Sequence, residues 1–582
     1  MGRSALTQSE MPSTGEGTEH MKKGKNLARI AVTAGLTMAM TLGGVALPAT
    51  AAFAATTGNV TIQKNANNNA DETTTLGYQI FTGDVVDSGT SKTVSNIKWA
   101  SDEVESVVVT QITALDGSYK GTSAQDAADY LSTHLPAEGS SGTSTIIESN
   151  KLYSNIANAL RADTKLTPTK LAAGTASSLS AGYWLFLTDA TSTANTDSES
   201  KVDQVGSAPI YAVVGDGDLT VSPKSTLPTV NKEVKNDAVG SDWGKVADSQ
   251  VGQDLQYRLT GTVADAIPSY DTYYYKFTDT LSAGLTADKS SVAVTVVTNG
   301  TTYTVASDSY STTLVTNSDN TSTLGVEFND LKTIKDSKDP TATIPVNGSS
   351  KVYVTYNAKL DTSKAYKVAS ERNDNSVKLT YSNNPGTDSK GDSTPSTVGD
   401  YTFKLKMDKV DSSDGSKTLK GAKFTIQATG ADEVADEGAG TQYVQKDGTL
   451  GSDPYEFTTT TDANGYASIY VSGLDVGKYT VVETQAPSGY NTVAKFDFEI
   501  RATYDNTGTI TKVEASSSNG NAADASTDKT GLVTVTVKDK AGMGLPLTGQ
   551  AGVTATWIAG GIVLAIGVTH LVRSRREGGS EE

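Results

Sequence analysis

Phe403-Lys404-Leu405-Lys406-Met407-Asp408-Lys409 alternates apolar and charged residues, the pattern of a β-strand with one face in a core and the other in water. The alternation is violated once. Lys409 continues the inward series Phe403, Leu405 and Met407, so the strand directs an amine into its own core. The same texture extends outward through the chain: serine, threonine, valine and glycine dominate, in short alternating runs separated by turn residues, which predicts a mainly β fold. One hairpin is explicit, with Val292, Val294 and Val296 on one face, Asn299-Gly300 at the turn, and Tyr303 and Val305 on the return strand. Helical spacing is confined to the first third. There Ser123 and Asp126 form a capping-box pattern ahead of Ala127, Leu131 and Leu135, and Leu152, Ile156 and Leu160 form a second stripe.

Composition narrows the chemistry. The 582 residues carry a formal charge of -18, which repels nucleic acid and anionic membranes and suits a solvated surface protein. There is no cysteine, which excludes disulfides, thiolate metal sites and a cysteine nucleophile. Of the three histidines, His20 and His570 lie in terminal segments, leaving His134 at the end of a short helix pattern before Pro136, where a surface role is expected. A Ser-His-Asp hydrolase or a multi-histidine zinc site is therefore not predicted, and no cofactor or metal is called for.

The two ends carry addresses. Met21-Lys22-Lys23 opens a basic stretch with Lys25 and Arg29, followed by the apolar run Ile30 to Leu47 and the small-residue site Ala52-Phe53-Ala54, an export signal cut after Ala54 or Ala55. Met21 is a candidate start, and an amino-terminal membrane anchor is the alternative to cleavage. At the other end, Leu545-Pro546-Leu547-Thr548-Gly549 precedes an apolar run from Val553 to Val572 and then Arg573, Arg575 and Arg576. That run has about the 20 residues a membrane-spanning helix needs, and the arginines follow the positive-inside preference, so the body of the chain lies outside the cell. An ordinary single-pass anchor is the alternative.

The roughly 490 residues between Thr56 and Gly544 are too many for one core and suit three domains. Linker-like stretches around Thr226 and from Asn383 to Asp400 divide the chain into residues 1–55 (extension and signal), 56–226, 227–400, 401–543 and 544–582.

Strand alternation then assigns faces to the charged residues. Lys232 falls on the valine face of Val230-Asn231-Lys232-Glu233-Val234; Asp279 falls with Tyr275, Phe277 and Leu281; Asn375 falls with Val377, Leu379 and Tyr381. In the third domain Lys409 is joined by Glu483, with Tyr479 and Val481, and by Asp539, with Val533, Val535 and Val537. Each of these domains thus directs one lysine, one acid and one carboxamide or carboxylate inward. Buried charge is costly, so a neutral amine beside a neutral acid is the favoured state, and a neutral amine is a nucleophile. Held against a side-chain carbonyl it can expel ammonia from Asn375 or water from Asp539 and leave an isopeptide bond, with Asp279 and Glu483 as the promoting acids. The alternative for each lysine is a snorkelling side chain or a buried salt bridge.

The carboxyl-terminal order resembles the cell-wall sorting signal of Gram-positive surface proteins, in which sortase cuts between the residues matching Thr548 and Gly549 and transfers the threonine to an amine. The segments Tyr275–Leu285 and Asn375–Pro385 resemble the middle domain of sortase-assembled backbone pilins, where the residues matching Lys232, Asp279 and Asn375 are bond lysine, catalytic acid and bond asparagine. Residues 403–411, 419–426 and 479–490 resemble the third, collagen-adhesin B-type domain of that family, with Lys409 and Glu483 matching bond lysine and acid; Asp539 stands where the family usually has asparagine. The resemblance implies tandem immunoglobulin-like, collagen-adhesin-type β-sandwiches, the first with some helix, ahead of a transmembrane helix. It also implies a structural, non-enzymatic shaft pilin or fimbrial subunit, exported to the wall and surface pilus of a Gram-positive bacterium. The implied partners are a pilin sortase and a housekeeping sortase, other copies of itself, tip and base pilins, peptidoglycan and, transiently, the membrane. Lys224, in Leu219-Thr220-Val221-Ser222-Pro223-Lys224, falls on the solvent side at a domain edge and resembles the lysine that accepts the next subunit's threonine, although Ser222 replaces the usual tyrosine. Lys64, on the face of Val60 and Ile62, has no convincing partner and is assigned no bond. The remaining alternative is a monomeric wall-anchored adhesin for a host protein or glycan, distinguished by the absence of a polymer ladder.

Overall fold

Alternation of buried and more exposed residues along many of the strands builds three successive β units in the computed structural model, which describes residues 56–542 except 66–67, 69–70, 88–91, 135–145, 197–200, 237–242, 430–441, 521–522 and 529. The export signal, the sorting motif Leu545 to Gly549 and the apolar run after it lie outside the described residues. Within the described residues no helix is long and apolar enough to cross a membrane.

The first unit packs a sheet ordered Lys92–Trp99, Thr74–Asp87, Gly182–Thr188, Ile210–Val214 near a smaller sheet centred on Thr57–Ile62. Ser123 and Asp126 form the capping box that opens helix Ala124–Thr133, and Leu152–Ala162 forms the second expected helix. A third, Asp102–Leu115, was not expected. Its signals are Ser101 as N-cap, acidic residues in the first turn and the buried stripe Val104, Val108, Ile112, diluted by exposed apolar residues such as Leu115.

The middle unit is a sandwich. One sheet runs Trp243–Gly244, Val230–Lys235, Leu255–Thr262, Lys351–Leu360, Leu285–Thr298, Thr301–Thr304; the other contains, in order, Val246–Asp248, Ser396–Tyr401, Asn373–Ser382, Tyr275–Leu281, Ser322–Phe328 and Ser311–Thr316. The hairpin turn is as expected, with Asn299 and Gly300 both at positive φ, 50° and 76°, which a tight turn between right-twisted strands requires. The third unit places Phe403–Asp411 between Ala467–Leu474, antiparallel, and Leu532–Asp539, parallel, facing a sheet built on Lys423–Ala428, Gly477–Gln485 and Phe496–Tyr504. Each unit has its own buried apolar core.

Residues 383–400 do not form a linker. They contain strands Lys390–Asp392 and Ser396–Tyr401, and Asn383 and Asn384 are fully buried against the first unit. Asn383 Nδ2 donates to the carbonyls of Thr193 (2.6 Å) and Gln204 (3.2 Å), and Asn384 Nδ2 to that of Thr188 (3.1 Å). Carboxamides that compositionally suggest solvated loop can equally satisfy backbone carbonyls in a buried seam, and here they do. The seam to the third unit is also packed: Val251 N donates to Gly473 O (2.9 Å), and Tyr504 Oη to Asp248 Oδ2 (2.5 Å).

Candidate covalent crosslinking sites

Strand Val230–Lys235 pairs antiparallel with Leu255–Thr262, and its alternation buries Lys232 and Val234 while Asn231 and Glu233 face outward. Across the sandwich, Tyr275–Leu281 buries Tyr275, Phe277, Asp279 and Leu281, and Asn373–Ser382 buries Asn375 with Val377, Leu379 and Tyr381. Lys232, Asp279 and Asn375 are each 0% exposed and meet at one point. Lys232 Nζ donates to Asp279 Oδ2 at 2.5 Å and to Tyr356 Oη at 3.1 Å. Tyr356 Oη donates to Asp279 Oδ2 at 2.6 Å and accepts from Asn375 Nδ2 at 2.7 Å. The rings of Tyr257 and Tyr356 stack at 5.4 Å, and each centroid lies within 5.3 Å of the Lys232 nitrogen.

Burial drives the electrostatics. Desolvation lowers the Lys232 amine from 10.5 to about 8, against the opposing pull of Asp279. Asp279 Oδ1 and Asn375 Oδ1 are buried without a hydrogen-bond partner. An amine brought close to its neutral form, an acid in contact with it and a dry carboxamide beside both constitute the inventory for acyl transfer to nitrogen.

In the third unit Lys409 and Asp539 lie on neighbouring parallel strands. The register pairs Lys409 with Val537 and Asp411 with Asp539, so lysine and aspartate share the inner face two positions apart. Lys409 Nζ donates to Asp539 Oδ1 and lies 3.1 Å from Glu483 Oε1, which reaches in from the opposite sheet. All three side chains have no exposure. Burial pushes Glu483 up to about 6, opposed by the Lys409 ammonium, and burial also raises Asp539. Val493 N donates to Glu483 Oε2 at 2.8 Å and holds the carboxyl in place. Two carboxyls around one amine disfavour double ionisation, so one of them is biased toward carrying a proton.

The structure therefore brings together both sets of residues that strand periodicity pointed inward. It adds Tyr356 and Tyr257, which sequence reasoning missed. In Lys351–Leu360 the inward series is Val352, Val354, Tyr356, Ala358 and Leu360, and a tyrosine there is indistinguishable from any core aromatic until its hydroxyl is placed.

Lys224 departs from expectation. The strand ends at Val221, so alternation no longer applies at Lys224, which is half-buried at the seam between the first two units rather than openly solvated. Its backbone N–H donates to Ser207 Oγ at 2.8 Å, and its carbonyl accepts from Ala208 N. Lys64 lies beyond the end of strand Thr57–Ile62 and is exposed. His134 is exposed at the end of its helix, its ring stacked on Tyr130 at 4.0 Å.

Comparison with solved structures finds similarity to Gram-positive major pilins. The T6 backbone pilin of serotype M6 Streptococcus pyogenes is 17% identical, with a TM-score of 0.45, covering 84% of this chain and 99% of that one. The full-length major pilin SpaD from Corynebacterium diphtheriae is 16% identical, with a TM-score of 0.41, over 84% and 98%. The major pilin SpaA of the same organism is 13% identical, with a TM-score of 0.40, over 83% and 100%. No curated protein matches the chain. Residues 403–518, the greater part of the third sandwich, match the family model described as SpaA, prealbumin-like fold domain.

Proposed function

We propose that this chain is the repeating shaft subunit of a covalently polymerised surface pilus, stapled internally by a Lys232–Asn375 bond in the middle unit and a Lys409–Asp539 bond in the third. The observation that carries the stapling is the convergence of Lys232, Asp279 and Asn375 at zero exposure, with the Lys409, Glu483 and Asp539 cluster repeating it on a different strand arrangement. The chain has no cysteine with which to close such loops otherwise. By the loop-closure relation used for disulfides, each bond would contribute roughly 5 kcal/mol for a loop of order one hundred residues.

Polymerisation rests on the order of Leu545 to Gly549, apolar run and arginines, together with Lys224 at the seam between the first two units. A pilin sortase would join Thr548 of one copy to Lys224 of the next. A housekeeping sortase would attach the finished fibre to peptidoglycan, and the membrane helix would serve as a holding device before transfer. Lys224→Arg should abolish the high-mass ladder in denaturing gels of wall extracts while leaving wall-attached monomer, because guanidinium is too basic to act as an amine nucleophile. A ladder that persists moves the acceptor elsewhere. The half-burial of Lys224 favours one second reading, a monomeric wall-anchored adhesin, for which the parent chain would run as a single band.

A further inference from the structure

A Lys232–Asn375 bond requires the attacking nitrogen to lose a proton and the departing nitrogen to gain one. Both nitrogens touch a single oxygen. Tyr356 Oη is 3.1 Å from Lys232 Nζ and 2.7 Å from Asn375 Nδ2, while its own proton points to Asp279 Oδ2 at 2.6 Å. We propose that Tyr356 is a catalytic residue of the middle-unit bond, relaying a proton from the attacking Lys232 nitrogen to the departing Asn375 nitrogen; this rests on reading the site as a lysine–asparagine bond former.

Lys232 first passes its ammonium proton to Asp279 Oδ2, 2.5 Å away, and becomes a neutral amine. Its lone pair attacks Asn375 Cγ and forms the Nζ–Cγ bond. With Oδ2 already protonated, the Tyr356 O–H turns from it toward Asn375 Nδ2, whose lone pair is released once Cγ is tetrahedral. The now cationic Nζ gives a proton to Tyr356 Oη as Tyr356 gives its own to Nδ2. The Cγ–Nδ2 bond breaks, ammonia leaves, and the phenol is restored. One amide bond has formed, one has broken, and no oxidant or further reactant is consumed.

The need for such a relay follows from the leaving group, because an amide anion is a very poor one and must be protonated as it departs. Burial and the Asp279 carboxylate push the Tyr356 phenol well above its ordinary value, so it does not persist as phenolate and acts by exchanging one proton for another. The ring is held by its stack on Tyr257 and the oxygen by three partners, so little reorganisation is required. The third unit, where water would leave, surrounds its lysine with two carboxyls instead.

The test follows the crosslinked peptide joining Lys232 to Asn375 in the full chain, sampled by mass at intervals after synthesis. Parent chain lacking this peptide would sink the bond reading itself. With the peptide present in the parent, Tyr356→Phe should form it about a hundredfold more slowly, within the range of a lost general acid–base group, while water loss between Lys409 and Asp539 is unchanged. Formation at the parental rate overturns the relay. Should the Phe variant lose its cooperative melting, fluorotyrosine at position 356 decides, since it keeps ring and hydroxyl but alters acidity. A changed rate then supports proton transfer through Tyr356, and an unchanged rate overturns it.

Discussion

The middle and third units direct the same kind of lysine inward yet differ in what surrounds it. In the middle unit Lys232 belongs to one sheet while Asp279 and Asn375 belong to the other, so a bond there would tie sheet to sheet. In the third unit Lys409 and Asp539 sit on adjacent parallel strands of one sheet and only Glu483 comes from across the core, so a bond would tie an early strand to the last strand within a layer. The leaving groups of such bonds would differ as well, ammonia against water, and the company differs: a tyrosine hydroxyl in one, two carboxyls in the other. The difference teaches that the same inward residue types can recur while strand order sets whether they connect two sheets or two strands of one sheet.

The largest expected effect comes from removing each acid in turn. Asp279→Ala should leave the middle unit with its ammonia and the third with its water loss intact, and Glu483→Ala the converse. Each variant should lose roughly 5 kcal/mol in the affected unit from the missing crosslink. Intact mass paired with calorimetric melting reads both quantities, and a full mass deficit in either variant would remove that acid from the chemistry.

A smaller effect separates the units by pH once the bonds are blocked. In Asn375→Ala the folded Lys232 amine, near 8 against 10.5 when unfolded, binds fewer protons than the unfolded chain between those values. Stability of the middle unit should therefore rise as pH climbs from about 8 to 10.5, by an amount of order 3 kcal/mol. In Asp539→Ala the sign reverses. Burial still holds the folded Glu483 carboxyl above its unfolded value of 4.5, so its contribution is present in acid and is lost as pH rises from 4.5 through the raised folded value. Parallel pH trends in the two variants would break the contrast.

The smallest expected effect sharpens the leaving-group argument. Asp539→Asn gives the third unit an ammonia leaving group without a bridging phenol, and crosslinking there should slow about tenfold, equivalent to about 1.4 kcal/mol of barrier. Time-resolved peptide mass measures it, and an unchanged rate would show that Glu483 alone handles either leaving group.

Much of the candidate site was legible because facing is a local property. Side chains two apart share a face, so Lys232, Asp279, Asn375, Lys409, Glu483 and Asp539 could each be assigned inward from their own few neighbours, and all six are buried. The same rule failed at Lys224, where the strand had already ended, and at Lys64, for the same reason. Helix Asp102–Leu115 was not read from the sequence at all, and the Asn383 to Asp400 stretch was read as a linker from its composition, because polar composition does not reveal whether carboxamides meet water or backbone carbonyls.

By itself, then, the sequence determined the strand character, the inward lysines and acids and the absence of disulfides, all of which depend on short-range periodicity or on residue identity. Tertiary structure alone decided which sheet each inward residue joined, that Tyr356 would bridge the Lys232 and Asn375 nitrogens from a strand more than a hundred positions away from Lys232, and that the joints between units would be packed seams. Those outcomes depend on contacts between segments remote in the chain. Strand pairing and sheet stacking set such contacts, and no local pattern encodes them.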